Sequence, residues 1–134
     1  MTVYVKQIQG LAMAARGDSN HWVAMDGPEK LGGLESGSRP MEVVLMALGG
    51  CTAMDVASIL QKTRAPVEDF AIEVEAERAD EHPKVDTKIH VKYVITGSGV
   101  KARDVERAIE LSEDKYCSVT AMLRKTAEMT SSFE

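Results

Sequence analysis

The chain has two cysteines, Cys51 and Cys117, and each falls in an apolar segment, MALGGCTAMDV and DKYCSVTAML. Paired thiols can run a two-electron redox cycle. One is oxidised to a sulfenic acid, and the other displaces its hydroxyl to form a disulfide. The competing expectation is inert filler, because free cysteines are among the most buried residue types and pack as small apolar groups. Thiolate character separates the two, and it comes from a helix N-terminus or a nearby cation. Cys117 stands where an apolar helical run begins, so unpaired backbone N–H groups surround it. Cys51 lies mid-helix with Asp55 at i+4 on the same face, and an ionised carboxylate there opposes a thiolate. A compensating arginine must come from elsewhere in the chain; Arg16 and Arg39 are the candidates.

The helix that positions Cys51 starts at Pro40, a residue suited to the first helical position. It is expected to run to about Arg64, with Lys62 and Arg64 complementing its dipole and Pro66 ending it. Val43, Val44, Leu45, Met46, Leu48, Met54, Val56, Ile59 and Leu60 surround it on nearly all sides. A helix apolar all round must be buried all round. Gly49 and Gly50, with Ala47, Ala53 and Ala57, form a small-residue surface on which another backbone can approach. The simplest cover is the same helix of a second copy in a two-fold homodimer.

Around this helix the pattern is that of strands. Val3 and Val5, then Leu11, Met13 and Ala15, then Trp22 to Met25 predict an N-terminal antiparallel meander. The segment from Asp26 to Arg39, rich in Gly, Ser and charge, reads as a mobile loop. Phe70, Ile72, Val74 and Ala76 alternate with glutamates. Val85, Thr87, Ile89, Val91, Tyr93 and Ile95 alternate with Asp86, Lys88, His90 and Lys92. That is a hairpin with one wet, charge-complementary face. Val105, Ala108, Ile109 and Ser112 mark a short helix, the next begins near Cys117, and AEMTSSFE is a weak edge strand. Strands, long helix, strands and helices make an α+β fold in one domain, 1–134.

Composition removes several function classes. Formal net charge is −5 and no basic stripe is present, which argues against a nucleic-acid partner. Glu42 and Asp55 interrupt the longest apolar run, which argues against a membrane span of about 20 residues. MTVYVKQIQG carries no basic region followed by an apolar stretch, so a reducing cytoplasmic setting with free thiols is expected. Neither the cysteines nor His21, His82 and His90 show metal-ligand spacing, so neither metal nor cofactor is expected. The histidines suit strand and turn surfaces. The methionines suit core filling, although Met46 and Met54 could line an apolar pocket beside Cys51.

PMEVVLMALGGCTAMDV, followed 66 positions later (117 − 51) by YCSV, resembles the OsmC/Ohr family, particularly its YhfA-like branch. The resemblance spans essentially the whole chain. It implies antiparallel sheets packed on a long central helix, in an intertwined homodimer with sites at the dimer interface. It also implies that Cys51 attacks an organic hydroperoxide, that Cys117 resolves the sulfenic acid, and that an external dithiol reduces the pair. The family pairs an arginine with a glutamate to polarise the first thiol. Arg16 or Arg39 would be that arginine. Met41 stands where the family glutamate follows the proline, and Glu42, nine residues before Cys51, points nearly opposite to it at roughly 100° per residue. Asp55 occupies a position that is usually apolar in peroxidase branches, and no proline follows Cys117. The implied activity is slow peroxide reduction. The alternative on this scaffold is non-catalytic binding of a small apolar ligand.

Overall fold

In the computed structural model, which describes residues 1–134, the N-terminal alternation forms a three-stranded antiparallel meander. Strands β1 (Tyr4–Gln9), β2 (Ala12–Arg16) and β3 (Trp22–Met25) lie in that order. They belong to the first of two compact units, Met1–Val44 and Leu45–Glu134. The segment after β3, expected to be a mobile loop, is organised around one buried carboxylate. Asp26 Oδ2 accepts from Leu34 N at 3.1 Å, Ser36 N at 3.2 Å and Ser36 Oγ at 2.6 Å, and Oδ1 accepts from Gly27 N at 2.7 Å. The Ser36 hydroxyl, followed by these amides, outweighs the cost of burial and holds the Asp26 carboxyl below the usual carboxylate range. The loop closes so tightly that a Cβ on Gly33 would collide with the Gly27 carbonyl. Composition marked the segment as irregular, but not this capped turn.

Helix α1 (Pro40–Lys62) starts on the expected proline and stops two residues before Arg64. Arg64 adopts a left-handed φ of 56°, and the Ala65 amide returns to the Leu60 carbonyl at 3.0 Å, closing the end. One stripe, Leu48, Thr52, Val56 and Leu60, is buried at i+4 spacing. Gly49 packs against Val74 and Ile72 of the following strand, whereas Gly50 faces open space. The small-residue surface expected for a second helix is therefore divided. Val44, Met46 and Met54 are exposed, so the chain does not by itself bury the helix all round. The expectation that two acids disqualify α1 from spanning length is corrected. Its best 18-residue window reaches a mean hydropathy of 1.9, apolar and long enough to cross a bilayer by composition. A core helix passes the same test, and Leu48, Val56 and Leu60 are core residues here.

The second unit holds strands β4 (Asp69–Arg78), β5 (Asp86–Thr96) and β6 (Glu128–Phe133), in that order. β4 and β5 form the expected hairpin, with Glu73 opposite Lys92 and Glu77 opposite Lys88. A bulge between Glu77 and Arg78 changes the facing at the start of β5. Val85 and Thr87, expected to point inward, are exposed, and Asp86 is buried instead. Further along, Ile89, Val91 and Tyr93 regain the inward face. β6 is the expected edge strand, but it runs parallel to β5, so the second sheet is mixed and not purely antiparallel. Helices α2 (Ala102–Leu111) and α3 (Ser118–Leu123) carry the chain back to the same end of the sheet. Val105, Ala108 and Ile109 join the core formed by Leu48, Val56, Ile89 and Tyr93. Each large apolar side chain buried there contributes roughly 1.5–3 kcal/mol.

Candidate functional site

Between α2 and α3 the backbone widens into a π-helical turn, Ser112–Tyr116. The Cys117 amide closes it on the Ser112 carbonyl at 2.7 Å. Such turns insert one residue and re-aim the side chains on either side. Here Ser112 stays on the buried face begun by Val105, Ala108 and Ile109, and Cys117 turns inward as the N-cap of α3. Its Sγ accepts from Thr120 N at 3.4 Å.

The result is a meeting of groups far apart in sequence. The Cys51 and Cys117 sulfurs and a carboxylate oxygen of Asp55 all lie within 4.8 Å of one another. Both thiols are free; Cys51 is partly exposed and Cys117 is only 2% exposed. Burial pushes the Cys117 thiol up; hydrogen bonding from Thr120 opposes part of this, and the contact with Cys51 adds a lesser upward push.

A chain of buried hydroxyls supports the carboxylate. Ser112 Oγ donates to Asp55 Oδ2 at 3.0 Å, Thr52 Oγ1 lies 2.8 Å from Ser112 Oγ, and Tyr93 OH lies 2.7 Å from Thr52 Oγ1. Each hydroxyl has one proton. With the Ser112 proton given to Asp55, Thr52 donates to Ser112 and Tyr93 to Thr52. Tyr93 also reaches Glu113 Oε1 at 3.5 Å. Burial, together with the Glu113 charge, drives the Tyr93 hydroxyl well above the usual phenol range. Thr52, Tyr93, Ser112 and Glu113 were not expected at the site. The signal was a run of polar side chains at otherwise apolar periodic positions, as at Ser112.

The two arginines make their bonds within the first unit. Arg16 bonds Asn20 Oδ1 at 3.1 Å, and its guanidinium lies over the rings of Tyr4 and Trp22, 5.9 and 5.5 Å from their centroids. Arg39 makes a two-pronged ion pair with Glu35, at 3.0 and 2.9 Å. The pairing raises the Arg39 pKa and lowers that of Glu35. Glu35 was not expected; it precedes Arg39 by four residues in a non-helical segment and has a left-handed φ of 54°. Met46 and Met54 are 58% and 76% exposed, so neither walls off an apolar pocket in the single chain. His21 is exposed ahead of β3, His82 sits in the β4–β5 turn, and His90 bonds Thr130 and Ser132 on the wet face.

A long helix packed on a β-sheet is the fold shared with solved OsmC and organic hydroperoxide resistance proteins. A family model described as OsmC-like protein matches residues 33–132, and the chain belongs to that family. Protein YhfA of Escherichia coli strain K12 is 42% identical over 134 residues, covering 100% of this chain and 97% of the relative. A crystal structure of a hypothetical protein from Aquifex aeolicus VF5 shares 31% identity at a TM-score of 0.87, covering 99% of this chain and 93% of that one. An organic hydroperoxide resistance protein, OsmC, from Legionella pneumophila has the same fold at a TM-score of 0.69 and 16% identity, covering 100% and 97%.

Proposed function

We propose that this OsmC-like protein is a cytosolic thiol peroxidase that reduces small organic hydroperoxides slowly. Cys51 is the attacking sulfur and Cys117 the resolving one. The observation that carries this reading is the approach of the two free thiols, with both sulfurs inside the 4.8 Å cluster. The more exposed Cys51 is the one a peroxide can reach. The Cys51 thiolate attacks the terminal peroxide oxygen; the O–O bond breaks, the alcohol leaves after taking a proton, and Cys51 becomes a sulfenic acid. Cys117 then attacks that sulfur. An S–S bond forms, the S–O bond breaks, and water leaves with the Cys117 proton. An external dithiol returns both thiols and is itself oxidised to a disulfide.

Three features shape the rate. Asp55 brings a carboxylate oxygen within 4.8 Å of both sulfurs, a position for a like charge beside the attacking thiolate. The family resemblance implies an arginine–carboxylate couple for the first thiol, and Arg39 with Glu35 is such a couple within the first unit. Arg16 is the other arginine that could act. The exposed Val44, Met46 and Met54 on α1 suit burial against a second copy, which would complete the site in a homodimer.

The test is consumption of cumene hydroperoxide with a dithiol donor. Wild type should turn over, Cys51→Ser should not, and Cys117→Ser should turn over only through direct attack of the donor on the Cys51 sulfenic acid, with no Cys51–Cys117 disulfide formed. Equal consumption by wild type and Cys51→Ser would overturn the reading and leave binding of a small apolar ligand as the function of the scaffold.

A further inference from the structure

We propose that the reduced protein binds one zinc ion through Cys51 Sγ, Cys117 Sγ and the Asp55 carboxylate, leaving a fourth position open. The donor set is that of zinc, which takes thiolate and carboxylate ligands in a tetrahedral arrangement. Two sulfurs disfavour magnesium and calcium, which select oxygen ligands. Donors about 2.0–2.3 Å from a tetrahedral zinc stand roughly 3.3–3.8 Å apart. The three atoms already lie within 4.8 Å of one another, so closure on an ion takes side-chain rotation and no refolding.

The scaffold is suited to holding them. Cys51 and Asp55 sit one turn apart on α1, and Cys117 enters from the start of α3. Asp55 is aimed by Ser112 Oγ at 3.0 Å, and Ser112 is fixed through Thr52 to Tyr93, all three at 0% exposure. Metal-bound carboxylates are oriented by this kind of outer hydrogen bond. Asp55 is awkward for a peroxidase, since its charge opposes thiolate formation. For a cation it is an asset: the two thiolates and the carboxylate carry three negative charges, which a divalent ion offsets. Forming the Cys51–Cys117 disulfide removes both sulfur donors, so the site belongs to the reduced protein. Metal binding does not depend on the peroxidase reading.

Cobalt(II) titrated anaerobically into the reduced full chain tests this. The expected result is one equivalent bound, with thiolate-to-cobalt charge-transfer absorption and the d–d bands of a tetrahedral site, all displaced by zinc. Cys51→Ser, Cys117→Ser and Asp55→Asn should each weaken binding by about tenfold or more, and Ser112→Ala by about tenfold. Without any substitution, bound zinc should slow alkylation of Cys51 and Cys117 together, and prior oxidation of wild type should abolish binding. No charge-transfer absorption in reduced wild type would overturn the proposal. So would unchanged affinity in Asp55→Asn, or zinc that leaves alkylation of both cysteines untouched.

Discussion

Ser112 donates a hydrogen bond to Asp55 at 3.0 Å, tying the wide turn after α2 to the helix that carries Cys51. The two residues are 57 positions apart, and the bond sits at the end of a buried run of hydroxyls. It is both a structural strut and the element that aims the carboxylate at the sulfurs.

Ser112→Ala should therefore destabilise the fold by about 1–3 kcal/mol, because Thr52 and Asp55 both lose a buried partner. Urea denaturation measures it. A change within about 0.5 kcal/mol, the range of ordinary surface substitutions, would show the hydroxyl chain to be dispensable.

Asp55→Asn should speed alkylation of Cys51 at neutral pH. Removing a like charge within 4.8 Å of the sulfur relieves up to roughly 0.9 kcal/mol of repulsion at the dielectric of water, a rate factor of about four at most. Mass spectrometry of the chain with Cys117→Ala and a metal chelator present gives the rate. An unchanged or slower rate would show that Asp55 does not oppose the thiolate.

The Asp26 loop should make the fold acid-sensitive. The folded state holds the Asp26 carboxyl below its ordinary value of 3.8. Its contribution is thus fully present above that pH and is lost as the pH falls through the lower, folded value. Ser36→Ala removes the largest cause of the shift, so thermal unfolding should show a smaller loss of stability on acidification than in wild type. Identical pH profiles would count against this role.

Gly33→Ala should be among the most damaging single changes in the first unit. Its Cβ meets the Gly27 backbone carbonyl, which cannot swing aside like a flexible side chain. Overpacking of this kind costs typically 1–3 kcal/mol. Gly50→Ala, with nothing near its Cβ and a better helix former in place, should be neutral or stabilising in the isolated chain. Paired denaturation curves test the contrast.

Assembly can be tested on the exposed side of α1. Wild type is expected to sediment as a dimer, and Met46→Glu with Met54→Glu should shift it to monomer without disturbing the core, since both side chains are exposed. A folded wild-type monomer at micromolar concentration would remove the homodimer from the account.

Residue types and their spacing by themselves determined the elements. Pro40 and the long apolar run set the start and extent of α1, the period-two alternation set β4 and most of β5, and YCSV marked the start of α3. These are local properties, governed by backbone preference and by which face of each element must leave water. Tertiary structure alone decided what met across the gaps between elements. The bulge at Glu77 and Arg78 turned Asp86 inward in place of Val85, and the crossover through α2 and α3 made β6 parallel. The π-helical turn brought Ser112 and Cys117 against Asp55 and Cys51. Such contacts depend on packing registers between segments dozens of residues apart, and no local period in the chain encodes a distance between two elements.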